Sequence, residues 1–215
     1  MHIMTVAAMA LAAAFATPAI AQDLAPRDEC AALEGFDEFR AALAQAVANR
    51  DADMLRPLVD PQVHIDFGGG HGVDELIEKL GNDEYQNWQA LEEVQKYGCA
   101  LGYDDRPTMP YYFMQDMPDG FDPYGTSIVL GDDVPMYSSE TGDEVVGRAS
   151  WEAVEEVRFL EIVEASEDAA RREVITAQGE RGFVDAAKLR SVIDFRLAAK
   201  RKDGKWQIVV FVMGD

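Results

Sequence analysis

Cationic side chains are scarce in this chain: Lys and Arg number 19 against 40 Asp and Glu, for a formal net charge of −21. A polyanion-binding face needs clustered Lys and Arg to displace counterions, so nucleic acid is excluded as a partner and an anionic membrane surface is disfavoured. The one locally basic stretch, Arg181–Asp215, is expected to lie against the acidic remainder. Histidine is nearly absent: besides His2 there are only His64 and His71. Cys30 and Cys99 are the only cysteines. Two sulfurs make no structural zinc site, and their spacing is far too wide for a Cys-x-x-Cys redox pair. No Ser stands in a Gly-x-Ser-x-Gly elbow. No internal repeat and no second long apolar run occurs, which excludes a repeat array and a spanning helix downstream of the N-terminus.

The N-terminus carries the one long apolar run. It extends from Met1 through Ala7, Leu11 and Phe15 and ends in Thr17-Pro18-Ala19-Ile20-Ala21, a helix breaker followed by small-x-small. Polar Gln22-Asp23 follows at once, so residues 1–21 read as a cleaved signal peptide, although the usual Lys or Arg of the leading region is replaced by His2 and the terminal amine. The expected location is periplasmic or secreted, with no membrane insertion after cleavage. In such an oxidising compartment an even count of thiols normally pairs, so Cys30 and Cys99 are expected to be bonded. Closing a loop of that length stabilises by roughly 4 kcal/mol in the chain-entropy model.

From residue 22 to 105 the pattern is mainly helical. Phe36, Phe39, Leu43, Ala46 and Val47 recur at helical spacing, and Asp51 heads a second short helix that Asp60-Pro61 is expected to stop. Alternation over Val63-His64-Ile65-Asp66-Phe67 predicts a half-buried strand, and Gly68 to Gly72 turns it into a helix through Leu76, Ile77 and Leu80. Trp88, Leu91 and Val94 mark another helix, ending at Tyr97-Gly98. Residues 106–126, rich in Pro and aromatics, read as a linker or loop. Short β-like runs then follow: Ser127–Leu130, Val134–Tyr137, Glu156–Val163, Arg172–Thr176, Gly182–Val184, Val192–Ala198 and Trp206–Val212. Their even spacing predicts a small antiparallel barrel over 127–215, with Asp203-Gly204 as the tight turn of a closing hairpin.

Several of these segments resemble a known family. Ser127 to Val134, Val145 to Glu152, and Gly179-Glu180-Arg181-Gly182-Phe183-Val184 with Leu189-Arg190-Ser191 are similar to the Src-homology-3-like (SH3-like) domains of exported bacterial proteins. In that family such a closing segment completes a five-strand barrel, and Phe183 stands where Tyr is usual. The resemblance implies a non-catalytic envelope protein that binds a peptide, a cell-wall fragment or a protein partner. It does not fix the binding aromatics on Tyr137 or Phe183. The flanking parts, with the strand, Gly-rich turn and helix and the final Trp206 to Val212, resemble the nuclear-transport-factor-2-like cone. The two likenesses together imply an α+β chain with the barrel inserted before the cone's last strands.

Few residues carry chemistry. The strand period puts His64 and Asp66 on one face, and with His71 across the turn they could surround a divalent metal or act as an acid/base pair. A solvated strand face is the plainer alternative. The Gly68–Gly72 loop matches no phosphate-binding pattern, and Asp116, Asp119 and Asp122 depart from the known calcium-loop spacing. Trp88, Trp151 and Trp206 are expected in the core of a helix and two strands, as are Tyr111, Tyr112, Phe113, Met109, Met114 and Met117 unless they line a ligand surface. The residues thus assign no catalytic group, metal ligand or cofactor. Three readings remain open: a binding module, a small-molecule or enzymatic cone using His64 and Asp66, and a structural protein with no dedicated ligand.

Overall fold

The computed structural model describes residues 23–82, 87–157 and 169–214, so the expected signal peptide and its cleavage site lie outside the described residues. Helix α1 (Phe36–Ala48) forms where the apolar spacing predicts, with Phe36, Phe39, Leu43, Ala46 and Val47 all buried. The Asp51 carboxylate caps α2 (Ala52–Leu55) by accepting from the N–H groups of Asp53 and Met54, satisfying donors that a helix start leaves unpaired. One 3₁₀ turn, Arg56–Leu58, leads directly into β1 (Val59–His64). Asp60 and Pro61 thus lie within a strand. β1 is an edge strand, where a residue without an N–H is tolerated. Helices α3 (Val73–Leu80) and α4 (Asn87–Val94) bury Leu76, Leu80, Trp88, Leu91 and Val94 in the same core.

Gly98 ends this helical region at φ 74°, and a Cβ there would fall 2.2 Å from the Arg27 carbonyl oxygen. That close approach lets the N-terminal segment pair with the residue behind it: Cys99 N–H donates to Arg27 and Glu29 N–H donates to Cys99. The Cys30–Cys99 disulfide, with Cα atoms 5.8 Å apart, fastens the same crossing.

The remaining strands are β2 (Ala100–Leu101), β3 (Pro107–Met109), β4 (Thr126–Val129), β5 (Val134–Tyr137), β6 (Val145–Ala149), β7 (Ala153–Glu156), β8 (Arg171–Thr176), β9 (Arg181–Asp185), β10 (Leu189–Ser191), β11 (Arg196–Lys202) and β12 (Lys205–Val212). Most of the expected strand Glu156–Val163 lies outside the described residues. Pairing sorts the strands into a five-stranded sheet, β1-β12-β11-β3-β2, and a seven-stranded sheet, β10-β4-β7-β8-β9-β5-β6. The fold is therefore mixed α+β, with the second sheet lying in sequence between β3 and β11 of the first. The closing hairpin β11–β12, which lies within the barrel span 127–215 on one expectation and outside the inserted barrel on the other, pairs in the first sheet. Residues 106–126 contain β3 and the 3₁₀ turn Tyr111–Met114, so part of the expected linker is a wall of that sheet.

A closed barrel is not what forms. Among the described residues the outer strands β10 and β6 do not pair with each other. Even strand spacing reports antiparallel pairing, whereas closure depends on tilt and stagger, which spacing does not encode.

Alternation gives the first sheet two distinct faces. Met109, Leu197 and Phe211 are register neighbours across β3, β11 and β12 and pack under the helices with Phe36, Leu43 and Val63. The adjacent row, Thr108, Ala198 and Val210, points the other way. The second sheet has its own core of Val129, Val134, Met136, Ala149, Val154, Val174, Val184 and Leu189. A third cluster of Leu24, Tyr112, Ile128, Ala153 and Val192 joins the two regions. At this junction buried Arg190 donates to the Tyr112 hydroxyl at 3.0 Å, the Asp194 carboxylate at 2.9 Å and the Phe195 carbonyl at 2.8 Å. Its guanidinium also lies over the Tyr97 ring. Arg181–Glu173, Arg201–Glu34 and Lys202–Asp60 pairs bring the basic stretch onto acids, as its charge balance predicts. Trp88 and Trp206 pack at the first core; Trp151 instead occupies the turn between β6 and β7 at φ 42°.

Candidate functional site

Strand β1 ends on His64, which is exposed, while Val63 and Ile65 are buried. His64 and His71 form an isolated antiparallel bridge, closed by Gly72 N–H donating to the Val63 carbonyl. Two of the three candidate side chains, those of His71 and Asp66, are committed to partners within the loop and α3. His71 Nδ1 lies 2.8 Å from the Gly69 carbonyl oxygen; a carbonyl can only accept, so that nitrogen holds a proton and donates. Asp66 turns back across its own loop toward α3, where one oxygen accepts from Lys79 Nζ and the other from Gly70 N–H, each at 2.7 Å. The Lys79 hydrogen bond, followed by that of Gly70, holds the Asp66 carboxyl down at about 2.

This arrangement also explains the Gly-rich loop. A Cβ on Gly70 would sit 2.1 Å from an Asp66 carboxylate oxygen, so the glycine makes room for a protein carboxylate. Among the described residues no group of three or more His, Cys, Asp and Glu could hold a metal ion. Asp122 serves its own turn, accepting from Tyr124 N–H and, through its carbonyl, from the Thr126 hydroxyl.

Two other surfaces have binding character. On the second sheet Tyr137 is opposite Val145 on one side and Phe183 on the other. Neighbouring Met136 and Val184 point into the core, so Val145, Tyr137 and Phe183 form a row on the solvent side. The Arg171 guanidinium carbon lies 3.5 Å from the Tyr137 ring centroid. Arg171 is anchored there by Asp185 at 2.9 Å and the Gly142 carbonyl at 2.5 Å.

The second surface is the outer face of the first sheet. Here Phe113 and Arg196 stack at 4.5 Å, ring centroid to guanidinium carbon, with a cavity on each side. The first, about 160 Å³, is bounded by Tyr103, Arg106, Thr108, Met114, Ala198 and Val210. The second, about 200 Å³, lies toward the junction and is bounded by Gln115, Met117, Pro123, Val192 and Ile193. Arg196 donates to the Gly214 carbonyl at 2.6 Å and also faces the Phe67 ring. His64 is opposite Val210 in register but lines neither cavity.

The aromatic and methionine run thus divides: Met109, Tyr111 and Tyr112 are core residues, while Phe113, Met114 and Met117 face the cavities. Arg106, Thr108 and Arg196 belong to no sequence motif. Arg196-x-Ala198 occupies the outward phase of β11, and that phase was the available signal.

No protein-family model and no curated relative matches the chain. Among solved structures, a variant of the protein titled Rd1NTF2_05 is similar at 12% identity over 83% of this chain and 96% of its own, with a TM-score of 0.30. A score that low carries no argument, and the architecture stands on the strand pairing itself.

Proposed function

We propose that the chain is an exported, non-catalytic binding protein whose residues 126–191 form an SH3-like module for a short peptide, supplied by an envelope protein or by a cell-wall fragment. The observation that carries this reading is the row Val145, Tyr137 and Phe183 on the solvent side of the second sheet, with Arg171 stacked on Tyr137. Aromatic side chains on a sheet surface can take extended peptides by packing their side chains while the backbone stays hydrated. The succession of β9, the 3₁₀ turn Ala186–Lys188 and β10 supports the likeness drawn from Gly179 to Ser191. The signal-like leader and the disulfide support export.

The enzymatic alternative is less favoured. A general base must accept a proton near the working pH, and Lys79 keeps Asp66 ionised far below neutrality. The test is retention of the mature protein from envelope extract and on purified peptidoglycan, with direct titration of any captured peptide. Wild type should bind on one of the two arms, and Tyr137→Ser with Phe183→Ser should lose at least about tenfold in affinity, since interface aromatics are the usual anchors. Equal binding by the double variant would overturn the reading.

A further inference from the structure

We propose that the two cavities flanking the Phe113–Arg196 stack form a binding site for a small organic carboxylate with an apolar body, aromatic or branched. The site is independent of the peptide surface on the second sheet. It also lies on the opposite face of the first sheet from the helix-covered core, because Thr108, Ala198 and Val210 alternate with the buried row Met109, Leu197 and Phe211.

Size comes first. Cavities of about 160 and 200 Å³ are each close to the volume that accepts one benzene ring. Their walls are mainly apolar, with Met114 and Met117 as thioethers that adapt to irregular ligands. Location agrees, since the second cavity is built by Val192 and Ile193 at the junction and by Arg196 from the first sheet, and such junctions are preferred ligand sites.

Charge selects the class. Among the described residues, the charged ones bounding the two cavities are Arg106 and Arg196, both cations in a chain of net charge −21. Their positions are fixed before any ligand arrives. Arg196 is held by the Gly214 carbonyl and by the Phe67 and Phe113 rings. Arg106 donates through Nε to the Tyr103 carbonyl at 3.1 Å, with Asp104 at 3.7 Å. Fixed guanidinium groups lose little freedom on meeting a planar carboxylate.

The experiment titrates 2-naphthylacetate, and separately its neutral analogue 2-naphthylethanol, into ¹⁵N-labelled mature protein. Saturable amide shifts should cluster at residues 113–117, 193–198 and 210, and the alcohol should bind about tenfold more weakly because it lacks the charge-assisted hydrogen bond. Ala198→Leu should fill the first cavity and block the acid. Arg106→Gln, at a partly exposed rim position, should weaken the acid several-fold and leave the alcohol unchanged. No saturable shift, shifts confined to β5 and β9, or equal affinity for the alcohol would each overturn the proposal. So would self-association through this face, seen as concentration-dependent sedimentation that Ala198→Leu abolishes.

Discussion

The two sheets reach order by different routes. The first is assembled from the ends of the described chain: β1 runs parallel to β12, with Val59 opposite Ile208, and the helices and the disulfide cover what lies between. Its core is aromatic-rich, with Phe36, Phe39, Trp88 and Phe211. The second is antiparallel throughout its pairings, continuous in sequence, and filled mostly by Val. Non-local pairing must overcome loop-closure entropy before it gains contacts. The first sheet therefore depends on cross-links and burial in a way the second does not.

The largest effect should follow removal of the disulfide. Cys30→Ala with Cys99→Ala opens a loop with a sequence separation of 69, which costs about 4 kcal/mol in the chain-entropy model. That loop contains α1 to α4 and no strand of the second sheet. Denaturant unfolding followed by Trp fluorescence should lose this stability, while amide protection in β8 and β9 changes little. Equal loss of protection in both sheets would break the comparison by showing one cooperative unit.

A smaller effect, about 2 kcal/mol, is expected of Arg190→Met, because the buried Tyr112 hydroxyl and the Phe195 carbonyl lose a charged donor. The methionine keeps much of the apolar stem. Arg190 lies within β10, opposite Ile128 of β4, and reaches Tyr112 and Tyr97 of the flanking region, so its loss should separate the thermal transitions of the two sheets in calorimetry. A single transition moved as a whole would mean that the apolar cluster around Leu24 and Ile128 suffices to couple them.

Local signals were legible wherever one short stretch decides the outcome. The α1 face, the Asp51 cap and the Asp203-Gly204 turn, with φ of 50° and 78°, all depend on neighbours in sequence. The disulfide was legible because only two cysteines exist. β3 was not: it has three residues, starts at Pro107 and pairs with Leu197 and Ala198 far along the chain, so no local period reveals it. The outer-face cavities escaped for the same reason, being formed by the turn after β3 and by β11. At the candidate site, exposed His64 alternates with buried Val63 and Ile65, but the expected strand stops at His64 and Phe67 is 53% exposed, so the two-residue period fails there. The commitment of Asp66 to Lys79 crosses from a strand end to the last turn of α3, and a two-residue alternation cannot show it.

The smallest effect concerns that Asp66–Lys79 pair and belongs to the first region alone. Hydrogen bonds from Lys79 and Gly70 lower the Asp66 carboxyl from 3.8 to about 2. A carboxyl whose folded value lies below its unfolded value adds stability that is complete above the unfolded value and disappears as pH falls through the folded one. The contribution is thus present above about pH 4 and should fade between about pH 4 and 2. Both side chains are 36% exposed, so water screens the pair and the change in acid unfolding should be slight. Lys79→Met should raise the Asp66 carboxyl, measured by carboxyl ¹³C titration, though short of its ordinary value because the Gly70 N–H still donates. Amides of the Gly68–Gly72 loop should lose protection in that pH window while β8 and β9 do not. An Asp66 titration near neutrality in the wild type would contradict the hydrogen bonding that commits this carboxylate and would return His64 and Asp66 to consideration as an acid/base pair.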